Sequence, residues 1–155
     1  MRRTVRSIPI ANPAAGAGFA FTPAADQPSK LRTLLFQLAT SATAANRQVV
    51  AELLDLEGTV VFQAAAAAVQ TAGTTNTYQV SDAYGTPFTT GTLNGIGWPS
   101  MWLPPGWSVA VTVANEQAAD QLSAGVYTAE FGWSAFERDE ALAQLQQAAQ
   151  ALTTG

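Results

Sequence analysis

The sequence predicts an all-β protein, with an antiparallel β-sandwich or jelly-roll-like domain between an extended N-terminal arm and a C-terminal helix. From Trp107 to Val113, large apolar residues alternate with small or polar ones, the period of a strand with one buried face. About seven or eight such short segments, spaced by roughly 8 to 15 residues, are joined by turns rich in Gly, Pro, Thr and Asn, which is typical of a sandwich. We therefore expect an arm at 1–30, a sandwich at 31–133, and a helix with a tail at 134–155.

The arm is predicted from its helix-breaking residues. Pro9, Pro13, Pro23 and Pro28 exclude a helix, although residues 19–22 favour a brief edge strand. Apolar side chains in so long an arm should be buried, either along its own domain or across a neighbouring subunit. We expect the first, and the sequence leaves the second open.

Alternation predicts the strands of the sandwich. Leu34, Phe36 and Leu38 share one face of the first strand. Residues 47–56 and 59–63 then read as a hairpin around a turn at Glu57 and Gly58. The five alanines at 64–68 are interpreted as a strand that continues into a loop.

The remaining sandwich alternates turns with strands. Residues 77–80 form a short predicted strand, and 81–97 a region of turns. In the strand from Trp107 to Val113, we expect Trp107 to anchor the core. In the last predicted strand, 125–131, the side chains on one face are those of Tyr127, Ala129 and Phe131.

A helix is predicted at 135–152. Ser134 and Glu137 have the spacing of a capping box, and apolar residues, Leu142, Leu145 and Leu152 among them, then recur at helical spacing. This helix could lie on its own domain or pair with copies of itself.

The composition indicates a protein whose surface is poor in charge. Only 12% of the residues are charged, about half the usual roughly 25%, which suits a polar uncharged surface or one covered by partner subunits. A net charge of -4 argues against a nucleic-acid partner. The basic cluster Arg2, Arg3 and Arg6 is either a solvated chain start or an arm that docks on an acidic neighbour or nucleic acid.

The chain lacks the groups that most enzyme and metal sites need. It contains no histidine and no cysteine, which excludes the usual triads and zinc sites. The carboxylates of Glu52, Asp55 and Glu57 are interpreted as solvated, and the isolated Asp82 and Asp120 as turn-forming residues. We therefore predict no enzyme, no catalytic or metal-binding residues and no cofactor. There is also no apolar stretch near 20 residues and no unbroken signal-peptide core, so no membrane partner is expected.

Trp98 and Trp102 flank a proline-rich turn and allow two interpretations. They could belong to the core or to a subunit contact, or they could form an aromatic platform that binds a glycan. The burial of the two rings distinguishes these interpretations.

Several segments together resemble small β-sandwich virion proteins of tailed bacteriophages. They are residues 34–47, the turn Asp55-Leu56-Glu57-Gly58, the element Leu103-Pro104-Pro105-Gly106 and the step Ala119-Asp120-Gln121-Leu122-Ser123. The resemblance covers roughly residues 31–131. The arm and the terminal helix depart from it.

The resemblance implies a structural role in a virion, as a capsid decoration or cement protein or as the base of a head fibre. Its expected partners are other virion proteins, first the major capsid protein, and copies of itself, with a trimer favoured. The candidate contact residues for capsid or oligomer are Arg2, Arg3, Arg6, Phe19, Phe21, Leu142, Leu145 and Leu152. The alternatives are a carbohydrate-binding module for a host surface glycan and a tail or connector subunit.

Overall fold

The computed structural model describes residues 4–132 and 143–144, and the described chain forms ten strands arranged in two sheets. The strands are β1 (Thr4–Pro9), β2 (Phe19–Phe21), β3 (Ser29–Ala39), β4 (Gln48–Leu54), β5 (Val60–Ala65), β6 (Thr75–Ser81), β7 (Phe88–Thr90), β8 (Leu93–Gly97), β9 (Ser108–Ala114) and β10 (Gln121–Phe131). One sheet has the order β1-β10-β3-β6-β8-β7 and the other the order β2-β9-β4-β5. The prediction of an all-β protein is thus confirmed, and two sheets with a shared core form a sandwich.

The core lies between the sheets and is built from alternating side chains, as the sequence predicted. Leu34, Phe36 and Leu38 of β3 are buried, whereas Leu35 between them is 46% exposed on the outer face. In β4 the buried residues alternate in the same way, and in β9 Val109, Val111 and Val113 are buried, together with Ala110 between them. Burying each large aliphatic side chain stabilises the fold by roughly 1.5 to 3 kcal/mol, so this face pattern determines which side of each strand faces inward.

The tryptophan expected to anchor β9 is placed differently. Strand β9 starts at Ser108, directly after the turn at Pro104–Gly106, and Trp107 is only half-buried at the margin of the core. Among Trp98, Trp102 and Trp107, the buried ring is that of Trp98, with 4% of its surface exposed. The prediction for Trp107 is therefore wrong, because the residue precedes the strand whose period it appeared to share.

The stretch 81–97, predicted as turns, contains two strands. Strand β8 pairs with β6 in parallel and with β7 antiparallel. Parallel pairing needs no adjacent hairpin signal in the sequence, and the small residues of β8 (Asn94, Gly95) conceal its strand character. By contrast the predicted hairpin is present, with Gly58 at a positive φ of 79° between β4 and β5.

The N-terminal arm adds a strand to each sheet. Strand β1 pairs with β10 in the six-stranded sheet, and β2 pairs with β9 in the four-stranded sheet. The predicted brief strand at 19–22 is confirmed as β2. Phe19 is buried in the arm's own domain, and Ile8, Ile10 and Phe21 pack against its core, whereas Val5 is 58% exposed.

Gly125 allows β10 to approach β3 closely. The register between these strands shifts between Ser123 and Val126, and a Cβ atom at Gly125 would collide with the carbonyl oxygen of Leu35. The Gly125 carbonyl in turn accepts a hydrogen bond from the Ile10 amide, at 2.9 Å. A glycine is required here because the β3 backbone at Leu35 and Phe36 occupies the space that a side chain would need.

The predicted helix at 135–152 lies outside the described residues, apart from Ala143 and Gln144. Within the described parts of the chain, no helix has the length and apolar character needed to cross a membrane.

Candidate interaction surface

A buried ion pair connects two loops at one end of the sandwich. Arg47 Nε donates to Asp120 Oδ2 at 2.8 Å and Arg47 Nη2 donates to Asp120 Oδ1 at 2.9 Å, and both side chains are completely buried. The guanidinium also donates to the carbonyl oxygens of Thr43 and Ala45 and to Ser41 Oγ. Every N–H direction of the arginine is thereby used, which a buried charge requires.

Asp120 accepts further hydrogen bonds from the backbone. Its oxygens accept from the amides of Ser41 and Gln117 and from the Ser41 hydroxyl. Burial alone would raise the pKa of Asp120, but the hydrogen bonds from Arg47, Ser41 and Gln117 outweigh it and hold that pKa well below its usual range. The carboxylate is therefore ionised, saturated and unsuited to bind a ligand.

A second polar group continues this network toward the centre of the sandwich. Gln70 is buried; its Nε2 donates to the carbonyls of Leu38 and Thr74, and its Oε1 accepts from Tyr78 Oη at 2.9 Å. Arg47 and Gln70 also exchange a pair of backbone hydrogen bonds. This end of the molecule is consequently a fixed structural element rather than a chemical site.

An uncharged groove lies along one open side of the sandwich, between β5 of one sheet and β8 of the other. Its volume is about 370 Å³. The lining is aromatic, proline-containing and small: Phe62, Ala64, Ala65, Tyr84, Gly85, Pro87, Gly97, Trp98 and Pro99. Such a lining favours apolar or aromatic groups.

Trp98 forms the inner wall of this groove. Its ring meets that of Phe62 edge to face, at a centroid separation of 5.4 Å, and its indole Nε1 is buried with no hydrogen-bond partner in the described parts of the chain. Trp102 is 38% exposed and does not line the groove. Because Trp98 is covered, the two rings do not make one exposed platform of the kind that glycans stack on.

Strand β5 forms the outer wall of the groove and is an edge of its sheet. It has the sequence Val-Val-Phe-Gln-Ala-Ala, with no charge, proline or glycine, and among the described strands it pairs with β4 alone. Val60 and Val61 are 44% and 47% exposed. An uncharged apolar edge of this length is a template for pairing with another strand.

The described residues among the predicted contacts lie on the arm. The Phe19 ring packs edge to face on Phe36, and the Phe21 ring stacks on Tyr127. Both rings thus pack within their own domain, because β2 joins the four-stranded sheet. Arg6 is exposed, with its guanidinium carbon 5.7 Å from the centroid of the Phe131 ring. The other predicted contacts, Arg2, Arg3, Leu142, Leu145 and Leu152, lie outside the described residues.

The carboxylates considered for catalysis or metal binding have structural surroundings. Asp55 accepts the amides of Glu57 and Thr59 in the β4–β5 turn. Asp82 accepts a 2.6 Å hydrogen bond from Arg32 and lies 3.8 Å from Lys30 Nζ. Nowhere within residues 4–132 and 143–144 do three acidic side chains gather as a metal site would need.

The sequence analysis did not predict the buried ion pair, because no local pattern relates its two residues. Arg47 and Asp120 are 73 residues apart, and the sequence neighbours of each are uncharged. That isolation in a chain poor in charge was the available signal, since an isolated charge must find a partner if it is buried.

No family model matches the chain, and no curated protein matches it in sequence. Among solved structures, a chain of the viral particle of infectious bursal disease virus is similar, at 18% identity with a TM-score of 0.39. The VP2 subviral particle of that virus is similar at 18% identity with a TM-score of 0.35. A disulfide-linked pilus of Bacillus endospore appendages is similar at 12% identity with a TM-score of 0.39.

These alignments cover 84%, 84% and 85% of this chain. The chain spans about a third of the two viral chains (31% and 33%) and 89% of the pilus chain. Likeness at this level carries no argument about function.

Proposed function

We propose that this protein is a non-enzymatic structural subunit of a virus particle, and specifically a capsid decoration or head-fibre-base protein of a tailed bacteriophage. It acts by contact with other virion proteins, first the major capsid protein, and with copies of itself. The observation that carries the proposal is the open, uncharged edge of β5 beside an uncharged groove. Such a surface offers strand pairing and apolar burial to a partner.

The internal polar groups agree with a role in assembly. The buried ionisable side chains Arg47 and Asp120 are saturated by each other and by loop backbone, and Tyr78 is bonded to Gln70. These groups hold a scaffold in shape rather than presenting reactive atoms to solvent. The resemblance of residues 31–131 to phage virion proteins supplies the particular setting.

The test is binding to particles. Purified protein is mixed with phage capsids assembled without it, and co-sedimentation is measured over a range of protein concentrations. We expect saturable binding with a stoichiometry set by the capsid symmetry, a multiple of three if the subunit is trimeric. Absence from purified virions by mass spectrometry, together with no binding to such capsids, would overturn the proposal.

Particle imaging distinguishes this role from that of a tail or connector subunit. Density for a decoration or head-fibre-base protein would lie on the head, whereas density for a tail or connector subunit would lie at the tail or neck. The glycan alternative keeps one supporting observation, the 38% exposure of Trp102. Titration with host surface glycans would change the tryptophan emission if sugars stack on that ring. Unchanged emission in the presence of saturating glycan would exclude it.

A further inference from the structure

The four sheet edges differ in how well they are protected against pairing. Strands β2 and β7 have three residues each, and β1 carries Arg6 and ends at Pro9. Short strands, charges and prolines are the usual devices that prevent edge pairing. Strand β5 has six residues and no charge or proline, and its one irregularity is the bulge at Val61, which leaves Phe62–Ala65 as a regular edge. It is the edge, among those of the described chain, that is suited to a partner strand.

The backbone of β5 directs hydrogen-bonding groups away from the sheet. Ala65 is the register partner of Val50, and the Ala66 amide donates to the Val49 carbonyl at 3.0 Å. In an antiparallel ladder, this hydrogen bond between the next residues along means that Ala65 and Val50 face each other without bonding to each other. The N–H and C=O groups of Gln63 and Ala65 therefore point outward from β4. The N–H and C=O groups of Phe62 and Ala64 face β4 and form hydrogen bonds with it.

The side chains of β5 complement a second β5 strand in one register. In the segment Val61-Phe62-Gln63-Ala64-Ala65, two large residues precede the glutamine and two small ones follow it. An antiparallel pairing centred on Gln63 places Gln63 opposite itself and Phe62 of each copy opposite Ala64 of the other. Each phenyl ring thus meets a small side chain, and no charged residues are brought together. The bulge on β5 lies at Val61, so this pairing uses only the regular segment Phe62–Ala65.

The groove completes the fit. Phe62 and Ala64 are on the groove side of β5, so in this pairing Phe62 of the second copy projects toward the groove beside Ala64. There it would meet Tyr84, Pro87 and Trp98, a lining without charge and with a volume of about 370 Å³. A phenyl ring matches that lining in size and polarity.

We infer that β5 is a self-association edge, at which two copies of this chain pair antiparallel about a twofold axis through Gln63. The four-stranded sheets of the two copies then form one continuous eight-stranded sheet. This inference deepens the proposed assembly role by naming a second copy as one partner, and it depends on that role only for its biological setting. The twofold contact differs from the threefold contact expected from the sequence.

The test measures the mass of the pure protein by light scattering and sedimentation equilibrium, without particles. We expect a species of twice the 16.2 kDa chain mass. Gln63→Lys and Gln63→Glu, each alone, should weaken this association severalfold, because like charges then lie directly opposite. An equimolar mixture of the two variants should restore the association. Only pairing about a twofold axis through residue 63 places the lysine of one copy opposite the glutamate of the other.

A second variant keeps the test independent of side-chain charge. Gln63→Pro removes an outward N–H but no hydrogen bond to β4, so it should abolish the dimer while circular dichroism shows the fold retained. Gln37→Lys, an exposed substitution on the outer face of the other sheet, is the matched control and should leave the mass unchanged.

A wild-type protein that stays monomeric up to about 100 µM would overturn the inference. An oligomer that is insensitive to all three Gln63 substitutions would also overturn it. Neither result bears on capsid binding, so failure of this contact and failure of the proposed function are distinguishable.

Discussion

Arg47 and Asp120 form a two-point ion pair, with N–O distances of 2.8 and 2.9 Å, in which neither side chain is exposed to solvent. The pair connects the loop before β4 to the loop before β10. The Asp120 carbonyl also accepts the Gly16 amide of the arm at 2.7 Å. Three separate segments of the chain therefore meet at Asp120, two through its side chain and one through its backbone.

Asp120→Ala should lower the free energy of unfolding by about 3 to 5 kcal/mol, because it leaves the Arg47 charge buried and unpaired. Urea denaturation at neutral pH measures the loss. The exposed Asp26→Ala is the matched control, expected to change stability by no more than about 0.5 kcal/mol. Equal effects of the two substitutions would show that the buried pair is not a stabilising contact.

Acid should destabilise the protein through Asp120. Because the folded state holds the pKa of Asp120 well below its usual range, the unfolded chain takes up a proton first, and stability falls as the pH drops below about 4. The free energy of unfolding, measured from pH 7 down to 3, should decline less steeply in Asp120→Asn than in the wild type. If the free energy of unfolding fell with pH equally steeply in both proteins, the acid destabilisation would come from other carboxylates.

Tyr78 should ionise late. Burial raises the pKa of Tyr78 to about 12, so ultraviolet difference titration should show a tyrosine that resists ionisation above pH 10. Stability falls as the pH rises past the unfolded value near 10, because only the unfolded chain releases the proton there. Tyr78→Phe should remove one tyrosine from the late ionisation and leave Tyr127, whose pKa burial also raises. It should also cost about 1 to 3 kcal/mol, by leaving Gln70 Oε1 without its donor.

Gly125→Ala should destabilise the protein by about 1 to 3 kcal/mol or prevent folding, because the added methyl group meets the Leu35 carbonyl. Gly85→Ala is the matched control, since a Cβ atom there has no neighbour within 4 Å. Thermal melting of the two variants compares them directly. Two equal melting temperatures would mean that β10 can move away from β3 without cost.

The sequence predicted the strands whose burial alternates and missed the contacts that depend on distant segments. The faces of β3, β4, β9 and β10 follow from period-two patterns that local side chains specify. The parallel strand β8 was missed because its partner β6 contributes no local turn signal.

The contacts of Asp120 and the open edge of β5 likewise depend on distant segments that the sequence does not relate. Asp120 was correctly interpreted as turn-forming, in that it accepts the Gln117 amide, but its partner Arg47 is distant in sequence. The open edge of β5 is visible only when the sheet order is known, because an edge strand and an inner strand can have the same composition.

The position of β10 has a kinetic consequence. In the sheet order β1-β10-β3, the last described strand lies between two earlier ones, and Ser7 meets Thr128 across a separation of 121 residues. During synthesis β1 must therefore wait, unpaired, until β10 has left the ribosome. Contacts of such long range slow folding, so we expect the six-stranded sheet to close only after translation of β10, while the β4–β5 hairpin can form early.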